Sequence, residues 1–159
     1  MNNFDEYLDF SEEEDKEKQL KIMSKIKLSD ATAEKIKKIN KNIEFLIFAE
    51  PYCPDCRAFV PFMEQFTKLN PHIIVSYLSR TKDGELLSSV SPEARIPSMF
   101  YRINGKYFIA YLEMPKFIIE KINNGGDPGE LKYEYRTGVY NKEIEDELLN
   151  IILDIEKQI

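Results

Sequence analysis

The spacing of apolar positions changes several times along the chain, and each change marks an element. Ile43-Glu44-Phe45-Leu46-Ile47-Phe48-Ala49 is a short, nearly continuous apolar run, which predicts a central parallel strand buried on both faces. From Cys53 to about Leu69, the residues Phe59, Phe62, Met63, Phe66 and Leu69 recur at helical spacing. They predict an amphipathic helix in which Pro61 removes one hydrogen bond and bends the axis. Ile73-Ile74-Val75-Ser76-Tyr77-Leu78 predicts the next strand and completes a right-handed strand–helix–strand crossover.

Further on, Ser98 to Ile103 and Lys106 to Leu112 are two β-type runs joined by Asn104-Gly105, a strong short hairpin signal. Lys82 to Val90 reads as a weaker helix or a loop. Pro115 to Ile122 reads as a short helix, and Gly125-Gly126-Asp127-Pro128-Gly129 as a turn or loop. Ile144, Leu148, Ile151, Ile152 and Ile155 form a helical stripe, with Asn141 as its expected cap. At the other end, Ser11-Glu12-Glu13-Glu14 fits a capping box that opens a charged helix running towards Met23, read as a solvated face. Ser29 or Asp30 is placed to cap a second helix that turns Ile36 and Ile39 inward.

Composition narrows the class. A chain of 159 residues with 43% hydrophobic content suits one folded domain. The net charge of −6 offers no basic stripe for phosphates, so nucleic acid is not expected as a partner. No apolar stretch approaches the roughly 18 residues of a membrane span, and the acidic start Met1-Asn2-Asn3-Phe4-Asp5-Glu6 lacks a signal peptide's basic and apolar regions. A cytoplasmic location is the expectation, and there two cysteines are more often catalytic or metal-binding than a permanent staple.

Those two cysteines read Pro51-Tyr52-Cys53-Pro54-Asp55-Cys56-Arg57. A Cys-x-x-Cys between a buried strand and a helix has the layout that dithiol–disulfide exchange needs. The strand fixes its position, the helix N-terminus lowers the first thiol's pKa, and the second thiol sits one turn on. The competing readings are a zinc half-site and inert buried thiols. Zinc takes about four ligands, whereas the chain has no second cysteine pair and His72 is its one histidine. Redox chemistry is therefore favoured and no metal is expected.

The order strand, Cys-x-x-Cys helix, strand, Ile-Pro, hairpin, helix resembles the thioredoxin superfamily. Cys53 and Cys56 match its redox pair. Pro61, five residues after the second cysteine, matches the proline that kinks the active-site helix, and Ile96-Pro97 matches the cis-proline that faces the cysteines. Ala49-Glu50-Pro51-Tyr52-Cys53-Pro54-Asp55-Cys56 looks like a bacterial thioredoxin-like group whose motif runs Glu-Pro-Trp-Cys-Gly-Asp-Cys. That group has helical N-terminal extensions and a final segment similar to Tyr135-Arg136-Thr137-Gly138. Cys-Pro-Asp-Cys also occurs in small thioredoxin-related cytosolic disulfide reductases.

The resemblance implies an α/β, thioredoxin-like fold with a mixed central β-sheet flanked by helices. A single domain, 1–159, would comprise a helical extension at 1–40, a redox core at 43–112, an insert at 113–138 and a C-terminal helix at 139–159. It further implies a protein-disulfide reductase in which Cys53 attacks the substrate and Cys56 resolves the mixed disulfide. The redox-active Cys53–Cys56 disulfide would be the only redox group, with no separate cofactor. The expected partners are disulfide-containing protein substrates and an upstream reductase or low-molecular-weight thiol, with no membrane involved. A thioredoxin-fold adaptor, with the 113–138 insert recruiting a partner, is the alternative.

Pro54 and Asp55 are expected to tune the pair. Asp55 brings negative charge that opposes thiolate formation, or serves as a favourable first-turn acid, or both. Ile96 is expected to pair through its backbone with an extended substrate beside Pro97. Tyr52 is either an aromatic shelf for substrate or a packing tyrosine. One departure stands out: thioredoxins commonly carry a buried carboxylate six residues before the first cysteine, and that position is Ile47, which transfers no proton. Glu50 is the nearest acid, though it reads more simply as a surface residue on the loop. Gly125-Gly126 is read as a loop rather than a glutathione contact, His72 as a strand-edge residue, and Tyr101, Tyr107, Phe108 and Tyr111 as sheet packing.

Overall fold

A computed structural model describes residues 2–91 and 93–159. Its elements run α1 (Phe4–Leu8), α2 (Glu13–Lys25), α3 (Asp30–Lys37), β1 (Ile43–Phe48), α4 (Pro54–Leu69), β2 (Ile73–Leu78), α5 (Gly84–Val90) and β3 (Ser98–Ile103). They continue with β4 (Lys106–Leu112), α6 (Lys116–Asn123), α7 (Pro128–Arg136) and α8 (Asn141–Glu156). The strands form one sheet in the order β2-β1-β3-β4. β1 runs parallel to β2, from Ile43 opposite Ile73 to Phe48 opposite Leu78, and antiparallel to β3. Helices flank this mixed sheet, giving the α/β architecture that the apolar pattern implies.

The central strand is buried because its neighbours are: Phe45, Leu46, Ile47 and Phe48 are all in the core, while Glu44 reaches solvent and pairs with Arg102. α4 sends Phe59, Phe62, Met63 and Phe66 into that core, with Phe59 stacked on Tyr111 of β4 at 4.4 Å between ring centres. Pro61 lies inside α4. α2, α3, α7 and α8 all pack on α4, so this helix is enclosed and its N-terminus is held in a fixed place. At the hairpin, Asn104 and Gly105 both take positive φ, 51° and 80°, as a tight turn between twisted strands requires.

Several expectations change. Ser11 does not cap α2: Glu12 holds that position without a side-chain hydrogen bond, and the Ser11 hydroxyl instead accepts the Tyr52 N–H at 3.1 Å. A preceding helix, α1, is capped reciprocally by Asn3 and Glu6. The charged helix α2 is not solvated all round, since Gln19 is fully buried. Asn141 is the first residue of α8 rather than its cap, which is Tyr140. Pro128 and Gly129 are not loop; they open α7, with proline in the first turn, where its missing N–H would have had no helical partner. Tyr107 and Phe108 are exposed by 39% and 43%, so of the β4 aromatics Tyr111 alone belongs to the core.

Two glycines shape the segment between β4 and α8. Gly125 takes φ 97° and its N–H donates to the Ile122 carbonyl, while Gly126 N–H donates to Lys121. This is the paired closure that ends a helix, here α6. A side chain on Gly126 would meet the Lys121 carbonyl oxygen at 2.8 Å. The Gly-Gly therefore has a local reason of its own. Gly138 ends α7 in the same way, with φ 92° and bonds from Gly138 to Tyr135 and Val139 to Glu134. No helix among the described residues is long and apolar enough to cross a membrane.

Candidate active site

β1 ends at Phe48, and the chain turns through Ala49 to Tyr52 to enter α4 with Cys53 as its N-cap. Pro54 takes the first helical position, where it sacrifices no hydrogen bond. The Cys53 sulfur accepts the Cys56 backbone N–H at 3.3 Å, one of the donors a helix N-terminus leaves unpaired. Both cysteines are free; Cys53 is partly exposed and Cys56 is fully buried.

This difference separates their acidities. Hydrogen bonding from the Cys56 thiol, joined by the Cys56 backbone N–H, outweighs burial and holds the Cys53 thiol below its ordinary pKa; the Asp55 charge works against it. Burial drives the Cys56 thiol well above its ordinary value, and the neighbouring Cys53 sulfur adds to that. Opposite, the Ile96-Pro97 peptide is cis, and the Ile96 carbonyl oxygen stands 3.9 Å from the Cys53 sulfur. Tyr52 is 40% exposed beside the thiols, its hydroxyl accepting from Arg80 Nη2 at 2.5 Å and its ring lying under the guanidinium.

Glu50 is not the surface residue its loop position suggested. It is 1% exposed, and its carboxylate accepts the Ser79 hydroxyl at 2.6 Å and the Thr81 hydroxyl at 3.2 Å. Its backbone carbonyl accepts the Cys53 N–H at 3.0 Å. Ile47 is fully buried in β1, and the buried Glu50 carboxylate stands on the loop that follows this strand.

Asp55 likewise differs from an exposed first-turn acid. Its side chain is only 8% exposed and is held by Arg136, Nε to Oδ1 at 2.7 Å and Nη2 to Oδ2 at 3.2 Å. Beside it the buried Tyr135 hydroxyl donates to the Asp55 carbonyl at 3.4 Å and meets the Tyr111 hydroxyl at 2.9 Å. From the N-terminal side, the buried Tyr7 hydroxyl donates to Gln19 Oε1 at 2.8 Å, and Gln19 Nε2 donates to the Arg57 carbonyl at 3.2 Å. Burial, followed by the charge of the two sulfurs, pushes the Tyr7 phenol well up. Ser79, Thr81, Tyr7, Gln19, Tyr135 and Arg136 all lack a role in the sequence reading. Tyr135 and Arg136 alone were marked there, as part of a segment without an assigned chemistry. His72 lies just ahead of β2, its Nδ1 2.7 Å from Asn42 Oδ1. No group of three or more His, Cys, Asp or Glu among the described residues is placed to hold a metal.

A protein-family model described as Thioredoxin matches residues 1–126. The chain belongs to the thioredoxin family. A thioredoxin from Mycoplasmopsis pulmonis (strain UAB CTIP) is 34% identical over 93 residues, covering 54% of this chain and 85% of that protein. Among solved structures, an HIV epitope scaffold aligns with a TM-score of 0.75 at 17% identity, over 96% of this chain and 93% of its own. A protein of unknown function from Pseudomonas aeruginosa aligns with a TM-score of 0.76 at 19% identity, over 97% and 93%. At those identities the two structures show the fold. The match to the thioredoxin family stops at residue 126, so Tyr135 and Arg136 reach the thiols from beyond it.

Proposed function

We propose that this thioredoxin-family protein is a thiol–disulfide oxidoreductase that reduces protein disulfides through the Cys53–Cys56 dithiol. The observation that carries the reading is the asymmetry of the two sulfurs. One is partly exposed at a helix N-terminus with its pKa lowered; the other is buried one turn deeper with its pKa raised. The Cys53 thiolate attacks one sulfur of the substrate disulfide, forming a Cys53–substrate bond and releasing the other substrate sulfur as a thiolate that takes a proton from water. Cys56 then loses its proton and attacks Cys53 Sγ. The second substrate sulfur leaves as a thiol, and the two electrons that reduced the substrate leave a Cys53–Cys56 disulfide. An upstream reductase or a low-molecular-weight thiol returns that disulfide to the dithiol.

Burial keeps Cys56 a neutral thiol until the resolving step, when Cys53 is already bound to substrate. The Cys56 proton needs an acceptor, and we assign that role to Glu50, buried beside the site and held by Ser79 and Thr81. The Ile96 backbone and Pro97 form the wall against which an extended substrate segment would lie, with the exposed Tyr52 ring on the other side.

Insulin reduction under a matched reductant tests the reading, with Cys53→Ser as control. Wild type is expected to accelerate turnover and Cys53→Ser to lose it, while Cys56→Ser should accumulate partners bound through Cys53. A wild type no faster than Cys53→Ser would instead favour the adaptor reading.

A further inference from the structure

The residues around the thiols carry several charges, and most are held by hydrogen bonds to neutral neighbours. Cys56 and Asp55 face Cys53 from α4 itself, Tyr7 from α1, Glu50 and Arg80 from the loops after β1 and β2, and Tyr135 and Arg136 from α7. Burial raises the Tyr7 and Tyr135 phenols, so both are neutral near pH 7. Glu50 is met by two hydroxyls, Arg80 by the Tyr52 phenol, and Arg57 by the Pro51 carbonyl with Asp15 at 3.9 Å. That leaves Asp55, sitting between the two cysteines with its side chain almost out of water, and the one cation that contacts it.

We propose that Arg136 is a positioning residue for the dithiol: its two-point grip on Asp55 offsets part of the negative charge that the first turn of α4 presents to Cys53. The geometry is built for this. Both Asp55 oxygens are engaged by a planar guanidinium, the pairing that lysine cannot reproduce. Arg136 stands in the last turn of α7, which Gly138 closes, and Tyr135 fastens the same turn to the Asp55 backbone. Helix α7 thereby supplies, from a fixed position, the counter-charge for Asp55. The proposal rests on the dithiol reading above, and its test reads the thiol directly so that the two can fail separately.

The test is the pH dependence of iodoacetamide alkylation at Cys53 in the reduced full chain. Arg136→Gln should lower the thiolate fraction at pH 7 by about three- to tenfold, because the uncovered Asp55 carboxylate disfavours a second negative charge. Asp55→Asn alone should raise that fraction, and Asp55→Asn combined with Arg136→Gln should return it to within about twofold of wild type. A purely structural Arg136 would lower the unfolding midpoint and leave the alkylation profile unmoved, and that result overturns the proposal. Should Arg136→Gln alone fail to fold, the double variant must still undo the effect of Asp55→Asn; identical profiles for those two also overturn it. Absent Cys53-dependent insulin reduction beside an Arg136-sensitive profile would refute the oxidoreductase reading and leave the clamp standing.

Discussion

The two segments that lie on the thiol-bearing helix reach it in different ways. Beyond the long Asp15–Arg57 pair at 3.9 Å, the N-terminal segment arrives through neutral groups: Tyr7 to Gln19, and Gln19 to the Arg57 carbonyl. The segment after β4 arrives through a charge, with Arg136 on Asp55. Each contact meets a buried partner, Gln19 on one side and Asp55 on the other, and both bind the same first two turns of α4. A neutral hydrogen-bonded contact fixes position without altering the field at the sulfur, whereas an ion pair beside a thiolate changes its stability. The N-terminal segment therefore acts as a brace and the later one as an electrostatic partner, a division that substitutions can separate.

The largest expected effect lies outside both segments. Glu50 belongs to the loop between β1 and α4, and its assigned role concerns the resolving step alone. Glu50→Gln keeps the hydrogen-bonding shape and removes the proton acceptor. The mixed disulfide formed by Cys53 should then resolve roughly tenfold to a hundredfold more slowly in stopped-flow measurements, while alkylation of Cys53 should be no slower than in wild type, because a negative charge facing the sulfur is removed. Resolution at the wild-type rate would remove Glu50 from the mechanism and leave Cys56's proton to water.

Next in size is the join between α3 and α8. Glu145 is buried and accepts from Ser29 N and Oγ, Thr32 Oγ1 and Lys142 Nζ, at 3.0, 2.9, 2.7 and 2.9 Å. Burial alone would raise its carboxyl, but these hydrogen bonds outweigh it and hold the pKa below the ordinary value. A carboxyl depressed in the folded state contributes stability that is complete above its unfolded pKa, about 4.3. That contribution is lost as pH falls through the lower folded value. Glu145→Gln should lower stability in urea unfolding at pH 7 by about 2 kcal/mol, and the gap to wild type should narrow in acid below the unfolded pKa. A gap that stays constant down through that range would mean the hydrogen bonds hold the carboxyl no better than water does.

Much of this was legible in the chain, and what was missed has two causes. β2 and the hairpin strands read correctly because runs of β-favouring residues and the Asn104-Gly105 turn act locally, and Cys53 to Leu69 reads as a helix because its apolar face repeats. Ile96-Pro97 and Pro61 were placed by the resemblance to the thioredoxin superfamily. Periodicity is blind to polar side chains that are buried only because a distant residue satisfies them. Gln19 looks like one more polar residue on a charged helix, Asp55 like a first-turn acid, and Glu50 like a loop residue, until Tyr7, Arg136, Ser79 and Thr81 are in place. Pro128-Gly129 misled for a different reason: the residues that break a helix in its middle also start one, and only the residues after them decide which.

The smallest effects test the brace itself, through neighbouring residues of α2. Gln19→Leu keeps the volume approximately but leaves the Tyr7 hydroxyl and the Arg57 carbonyl without their partner, which should cost about 1–3 kcal/mol in urea unfolding. Lys18, one position earlier, pairs only with Glu14 at 3.3 Å, and their side chains are 51% and 77% exposed. Water competes fully for that pair, so Lys18→Ala should cost no more than about 0.5 kcal/mol. Neither change should move the alkylation profile of Cys53, because neither alters a charge that faces the sulfur. Equal costs at the two positions would mean that the charged face of α2, and not its buried glutamine, secures the N-terminal segment. A Gln19→Leu protein with a shifted Cys53 profile would show that the brace also sets the field, and the division between the two segments would fail.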